Sequence, residues 1–216
     1  MDYYSILNQI EKSYSYKEYK SKVEELIDTN SCSGNEQSVE KIGFTRLNAY
    51  RTNRMNKQFT VNEELESNLK NLHGDLIWIV LVESWCGDAA QCLPAIEKIA
   101  GSASNVELKI IFRDEHPEIM SKYLTNGGKA IPKLICFDKN SGEEVGTWGP
   151  RPINIQKMVL GYKENYPQAT HDDFITNLHL WYGRDRGRSI LFDFIQLINQ
   201  WSKKRQHTTD YAPVMS

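Results

Sequence analysis

Seven consecutive apolar residues, Leu76–Val82 (LIWIVLV), divide the chain. The run is short, rich in β-branched types and preceded by His73-Gly74-Asp75, so it predicts a strand buried on both faces. Glu83-Ser84-Trp85-Cys86-Gly87-Asp88 follows with turn character. Ala89, Leu93, Ile96, Ile99 and Ala100 then recur at helical spacing, which predicts a helix over 88–100. Val106–Phe112 reads as a second strand, and two strands joined by a helix read as a right-handed parallel βαβ unit. A short helix is expected over His116–Leu124, stopped by Asn126-Gly127-Gly128. Lys133–Phe137 and Glu143–Trp148 read as an antiparallel pair across the turn residues Asp138–Gly142. Gly149-Pro150-Arg151-Pro152 breaks the chain before a helix over Ile153–Tyr162.

The flanks are helical in pattern. Tyr3, Ile6, Leu7 and Ile10 share one face, and Tyr19, Val23, Leu26 and Ile27 another. Asp28–Asn35 is expected as a loop, and Glu36–Lys57 as a long helix with Val39, Ile42, Leu47 and Tyr50 inward. Its Lys41, Arg46, Arg51, Arg54 and Lys57 read as a solvated face. Asn62 caps a short helix through Leu72. After residue 167, helices are expected near Asp172–Tyr182 and over Arg188–Ser202, with a frayed tail from Lys203. The apolar stripes imply that an N-terminal extension (1–74) and a C-terminal one (167–216) pack on a core at 75–166, as one compact domain.

Composition narrows the function classes. The 216 residues are 40% hydrophobic and 25% charged, with a net charge of −2. That is ordinary for a globular protein and gives no electrostatic case for nucleic acid or an anionic membrane. No apolar run approaches membrane-spanning length and no signal peptide opens the chain. Four scattered cysteines form neither a disulfide framework nor a zinc signature. The reducing cytoplasm is the expected compartment. The five histidines show no ligand spacing, and no phosphate loop or hydrolase elbow appears, so no metal or cofactor is expected.

The chemistry concentrates at Cys86, where the buried strand hands over to a helix N-terminus. First-turn N–H groups and the helix dipole stabilise a thiolate, so the thiol is expected below its free pKa of about 8.5. The opposing reading is a small buried core residue. Asp88 is expected to cap the helix, and its charge would raise the Cys86 pKa. Glu83 either accepts the Cys86 proton or emerges into solvent, the reading preferred here. Trp85 either binds an apolar substrate group or shields the thiol. A helix start capped by Asp114 or Glu115 is expected at Arg113-Asp114-Glu115-His116. Cys92 lies six residues further, about 9 Å along a helix, too far to bridge Cys86. Cys92 and Cys136 read as core; Cys32 lies in a loop with nothing to place it near Cys86.

Trp85-Cys86-Gly87 after a buried strand, Pro94 within the following helix, and Ala130-Ile131-Pro132-Lys133 before a strand together resemble the thioredoxin-like family. The closest resemblance is to bacterial thioredoxin family proteins with WCGDAAQ and a single active-site cysteine. The resemblance implies an α/β fold with a central mixed sheet (βαβ–α–ββα), and a cis Ile131–Pro132 bond in a loop facing Cys86. It departs at Ala89, where the second cysteine is expected, and at Val80, where the family often carries a buried Asp. The implied function is a monothiol thiol–disulfide oxidoreductase. Cys86 is then the nucleophile, and Trp85, Gly87, Asp88, Ile131 and Pro132 line the substrate site. Its partner is a disulfide-containing protein or a low-molecular-weight thiol, with an external thiol as resolver. A non-catalytic peptide-binding module and a Cys86 redox sensor are the alternatives.

Overall fold

The computed structural model describes residues 3–210, without the side chains of Lys163 and 205–210. Four strands form one sheet in the order β2-β1-β3-β4. They are β1 (Leu76–Val82), β2 (Val106–Phe112), β3 (Lys133–Asp138) and β4 (Glu144–Trp148). β1 pairs parallel with β2 and antiparallel with β3, and β3 pairs antiparallel with β4. Paired on both edges and with all seven residues buried, β1 explains its unbroken apolar run. The thioredoxin-like mixed α/β sheet expected from the sequence is therefore present.

The helices are α1 (Tyr3–Gln9), α2 (Tyr16–Asp28), α3 (Val39–Gln58), α4 (Glu63–Lys70), α5 (Gly87–Gly101), α6 (Pro117–Lys122), α7 (Ile153–Asn165), α8 (His171–Asp185) and α9 (Arg188–Asp210). The backbone of α9 thus continues past the expected fraying point at Lys203; residues 211–216 of that tail lie outside the described residues. One cluster of buried side chains joins Tyr3 and Ile6 of α1, Met55 of α3, β1, α5, and Phe194 and Trp201 of α9. The Phe194 and Trp201 rings lie 5.6 and 6.0 Å from that of Trp78. The N-terminal segment also guards a sheet edge. Tyr14 exchanges two backbone hydrogen bonds with Ile110 of β2, each 2.8 Å, which covers donors and acceptors that an open edge strand would expose.

The expected inward face of α3 is wrong. Val39 is 89% exposed and Tyr50 75%, and Leu47 is exposed too, whereas Thr45, Asn48 and Met55 are buried. The cause is the surface beneath the helix. α3 crosses the end of β1 and the start of α5, where backbone and hydroxyl groups need partners. Thr45 Oγ1 meets Ser84 Oγ at 2.9 Å, and Asn48 Nδ2 donates to the Ser84 carbonyl at 3.0 Å. A buried polar group must find such a partner, so polar residues face inward.

Candidate active site around Cys86

Cys86 is the N-cap of α5, and its Sγ accepts the Ala89 N–H at 3.4 Å. Across the site the Ile131–Pro132 bond is cis, as expected, and the thiol donates to the Ile131 carbonyl at 3.3 Å. Gly149–Pro150 is also cis, which the sequence reading missed. Gly149 has φ +110°, and a Cβ there would collide with the Pro132 carbonyl oxygen. Glycine thus lets the loop after β4 lie against the Pro132 loop.

That loop closes the site. Arg151 Nη2 pairs with Asp88 Oδ2 at 2.7 Å, and the Tyr182 hydroxyl of α8 donates to Asp88 Oδ1 at 2.7 Å. Tyr182 also lies 3.8 Å from Cys92 Sγ. Asp88 therefore binds the C-terminal extension instead of capping α5; the cap is Cys86 itself. Burial pushes the Asp88 carboxyl up, and the Arg151 guanidinium opposes that shift.

The thiolate expectation is overturned. Cys86 is only 8% exposed, and burial first, then the Asp88 charge, pushes its thiol up to about 12. The Ala89 and Asp88 N–H groups and Arg151 pull the other way without prevailing. A helix N-terminus stabilises the anion, but removing water destabilises it more.

Glu83 does not emerge into solvent, as the sequence reading preferred. It is fully buried, accepts the Ser33 hydroxyl, and takes the Asp114 N–H at 2.8 Å. Burial raises it to about 6 against those hydrogen bonds. Ser33 comes from the loop that holds Cys32, which is buried. The Ser33 N–H donates to Ser84 Oγ and the Ser84 N–H to Ser33 Oγ, at 2.9 and 2.8 Å. Trp85 Nε1 donates to the Ser33 carbonyl at 3.2 Å. Lys41 Nζ and the Arg113 guanidinium lie 4.4 and 5.1 Å from the Trp85 ring centroid, in the range of cation–π attraction. Neither Asp114 nor Glu115 caps α6: the N-cap is His116, without a side-chain cap bond.

Of the residues expected from the sequence, the structure brings the Ile131 carbonyl of the Pro132 loop to Cys86, whose chain neighbours are Trp85, Gly87 and Asp88. The sequence reading missed Ser33, Ser84, Asn48, Arg151 and Tyr182. Arg151, set between two prolines, was the one visible signal. It also missed His179 of α8, whose ring lies where a side chain on Gly87 would stand, 2.6 Å from the first atom.

Among the described residues no group of three or more His, Cys, Asp or Glu side chains is placed to hold a metal ion, and no helix is long and apolar enough to cross a membrane. All four cysteines are buried.

No curated protein matches the sequence. Two solved structures share the fold. An HIV epitope scaffold is 19% identical, with a TM-score of 0.50 over 86% of this chain and 98% of its own. A protein of unknown function from Pseudomonas aeruginosa is 18% identical, with a TM-score of 0.51 over 86% and 97%. Residues 34–170 match a family model described as Thioredoxin. That match begins well before the expected core at residue 75 and takes in the Ser33-side loop's last residues, α3 and α4 as well as the sheet; the chain belongs to the thioredoxin family.

Proposed function

We propose that the protein is a monothiol thiol–disulfide oxidoreductase acting through Cys86. The observation that carries this reading is the placement of Sγ, at the N-cap of α5 and 3.3 Å from the Ile131 carbonyl of the cis-proline loop. In the exchange, the Cys86 proton passes to water and Sγ attacks one sulfur of a disulfide. A new Sγ–S bond forms as the old S–S bond breaks, and the departing thiolate takes up a proton. An external thiol then attacks the mixed disulfide, restores Cys86 and leaves with the substrate sulfur. Cys92 is not the resolver, because it is fully buried against Tyr182. With the thiol near 12, little thiolate is present in the closed site at pH 7. Burial is the largest cause of that value, so reaction proceeds through states in which the cover over Cys86 opens.

The buried, protonated thiol favours a second reading, a binding module whose groove between Trp85 and Ile131 takes an extended peptide. One experiment separates the two. The native protein is incubated with hydroxyethyl disulfide and digested for mass spectrometry. The first reading expects an adduct on Cys86, released by added thiol and lost in Cys86→Ser. Adducts that form only in denaturant would overturn it and leave the binding module.

A further inference from the structure

Three arginines and a histidine crowd the first turns of α5, with one carboxylate among them. Arg51 Nη1 lies 3.2 Å from where a side chain on Gly87 would begin, beside the His179 ring. Arg51 donates to Asn48 Oδ1 at 2.8 Å, and Arg54 to Gln91 Oε1 at 3.1 Å. Asn48 and Gln91 are buried neutral amides. They satisfy hydrogen bonds and bring no negative charge. Arg151 is paired with Asp88, but among the described residues Arg51 and Arg54 make no ion pair. The Nε atoms of Arg54 and Arg151 are buried without a hydrogen-bond partner among the described residues.

The histidine completes the set as a donor. Gln91 gives its oxygen to Arg54, so its Nε2 faces His179 Nδ1, at 3.4 Å. That leaves the His179 ring proton on Nε2, toward Gly87. Burial and the three guanidiniums hold His179 down to about 4, so at neutral pH it is an uncharged donor. Three guanidiniums against one carboxylate leave a net positive, half-enclosed surface next to Cys86. Such a surface concentrates anions, and guanidinium groups bind carboxylates and phosphates through paired N–H bonds.

We propose that Arg51, Arg54 and His179, with Arg151 at the inner edge, form an oxyanion subsite that directs an anionic low-molecular-weight disulfide to Cys86. The proposal rests on the oxidoreductase reading and names its substrate class. The exchange is the one written above, with the disulfide as oxidant. The carboxylate or phosphate of the substrate supplies the missing counter-charge while its sulfur reaches Sγ at the N-cap of the same helix.

The test compares rates of Cys86 adduct formation on the full chain with glutathione disulfide, coenzyme A disulfide, neutral hydroxyethyl disulfide and cationic cystamine. The anionic disulfides should react about ten-fold faster than the neutral one, and cystamine slowest. The anionic advantage should shrink with added salt and in Arg51→Gln and Arg54→Gln. Whichever anionic disulfide is faster distinguishes carboxylate from phosphate as the preferred group. Equal anionic and neutral rates would overturn the subsite and leave Cys86 exchange standing. If no disulfide reacts, the oxidoreductase reading fails, and inorganic phosphate decides the subsite. A rise in Tm over chloride at equal ionic strength that Arg54→Gln loses and Arg54→Lys keeps supports an oxyanion site; no such rise overturns it. Should the glutamine variants fail to fold, the salt dependence of the unmodified chain reads the same charge.

Discussion

Glu83 and Asp88 lie on either side of Cys86, both buried, yet their partners differ in kind. Glu83 is held by neutral donors, the Ser33 hydroxyl and the Asp114 N–H. Asp88 is held by a guanidinium and a phenol, Arg151 and Tyr182. The N-terminal side of the site is therefore a hydrogen-bonded network around a carboxylate that titrates near neutrality. The C-terminal side is an ion pair that ties α5 to the loop after β4 and to α8. Neutral donors soften desolvation without cancelling charge; a guanidinium cancels charge but leaves two ions to be desolvated.

The comparison breaks most visibly at Arg151. Arg151→Leu leaves Asp88 buried and unpaired, which should cost about 3 kcal/mol at pH 7. The loss should shrink in acid as Asp88 takes up a proton, and urea unfolding across pH reads both. A loss that does not vary with pH would mean that Arg151 acts by packing alone.

Glu83 gives the opposite test. Its folded pKa, about 6, lies above the unfolded value of about 4.5, so the folded state binds more protons between them. Stability should fall by about 2 kcal/mol in total as pH rises from well below 4.5 through the folded value of about 6, and level off about one unit above it. Glu83→Gln should remove that slope, since Ser33 can reverse its hydroxyl to accept from the new amide. An unchanged slope would assign it to another carboxyl that burial raises, and Glu97 and Asp193 are the ones to examine.

A smaller effect sharpens the N-terminal side. Asn48→Ala strands the Ser84 carbonyl and removes the acceptor of Arg51, for about 1–2 kcal/mol. Tyr50→Ser on the same helix, at an exposed position, should stay within about 0.5 kcal/mol. Thermal unfolding of the pair shows whether α3 is held by its polar face; a larger loss at Tyr50 would restore the apolar face that the periodicity suggested.

How much was legible differs by residue type. Apolar runs and breakers are local signals. Leu76–Val82, the α5 stripe, Pro132 and the turn at Asp138–Gly142 each carry their own pattern, and the strands followed to within a residue. α3 failed because its apolar residues are few and its burial was set by what lies under it, the end of β1 and the α5 N-terminus. The same cause hid the site's electrostatics. The position of Cys86 at a helix start was readable, but the sign of its pKa shift was not, because burial is a property of the assembled chain.

The sequence alone determined the order of strands and helices, the single thiol at the strand-to-helix junction and the cis-proline loop expected opposite it. These depend on residues near one another in the chain. Only the tertiary structure decided that Ser33, Asn48, Arg151, His179 and Tyr182 meet there, and that Cys86 rests as a protonated thiol. Its charge state depends on how much water the packed extensions exclude, and no local pattern encodes that quantity.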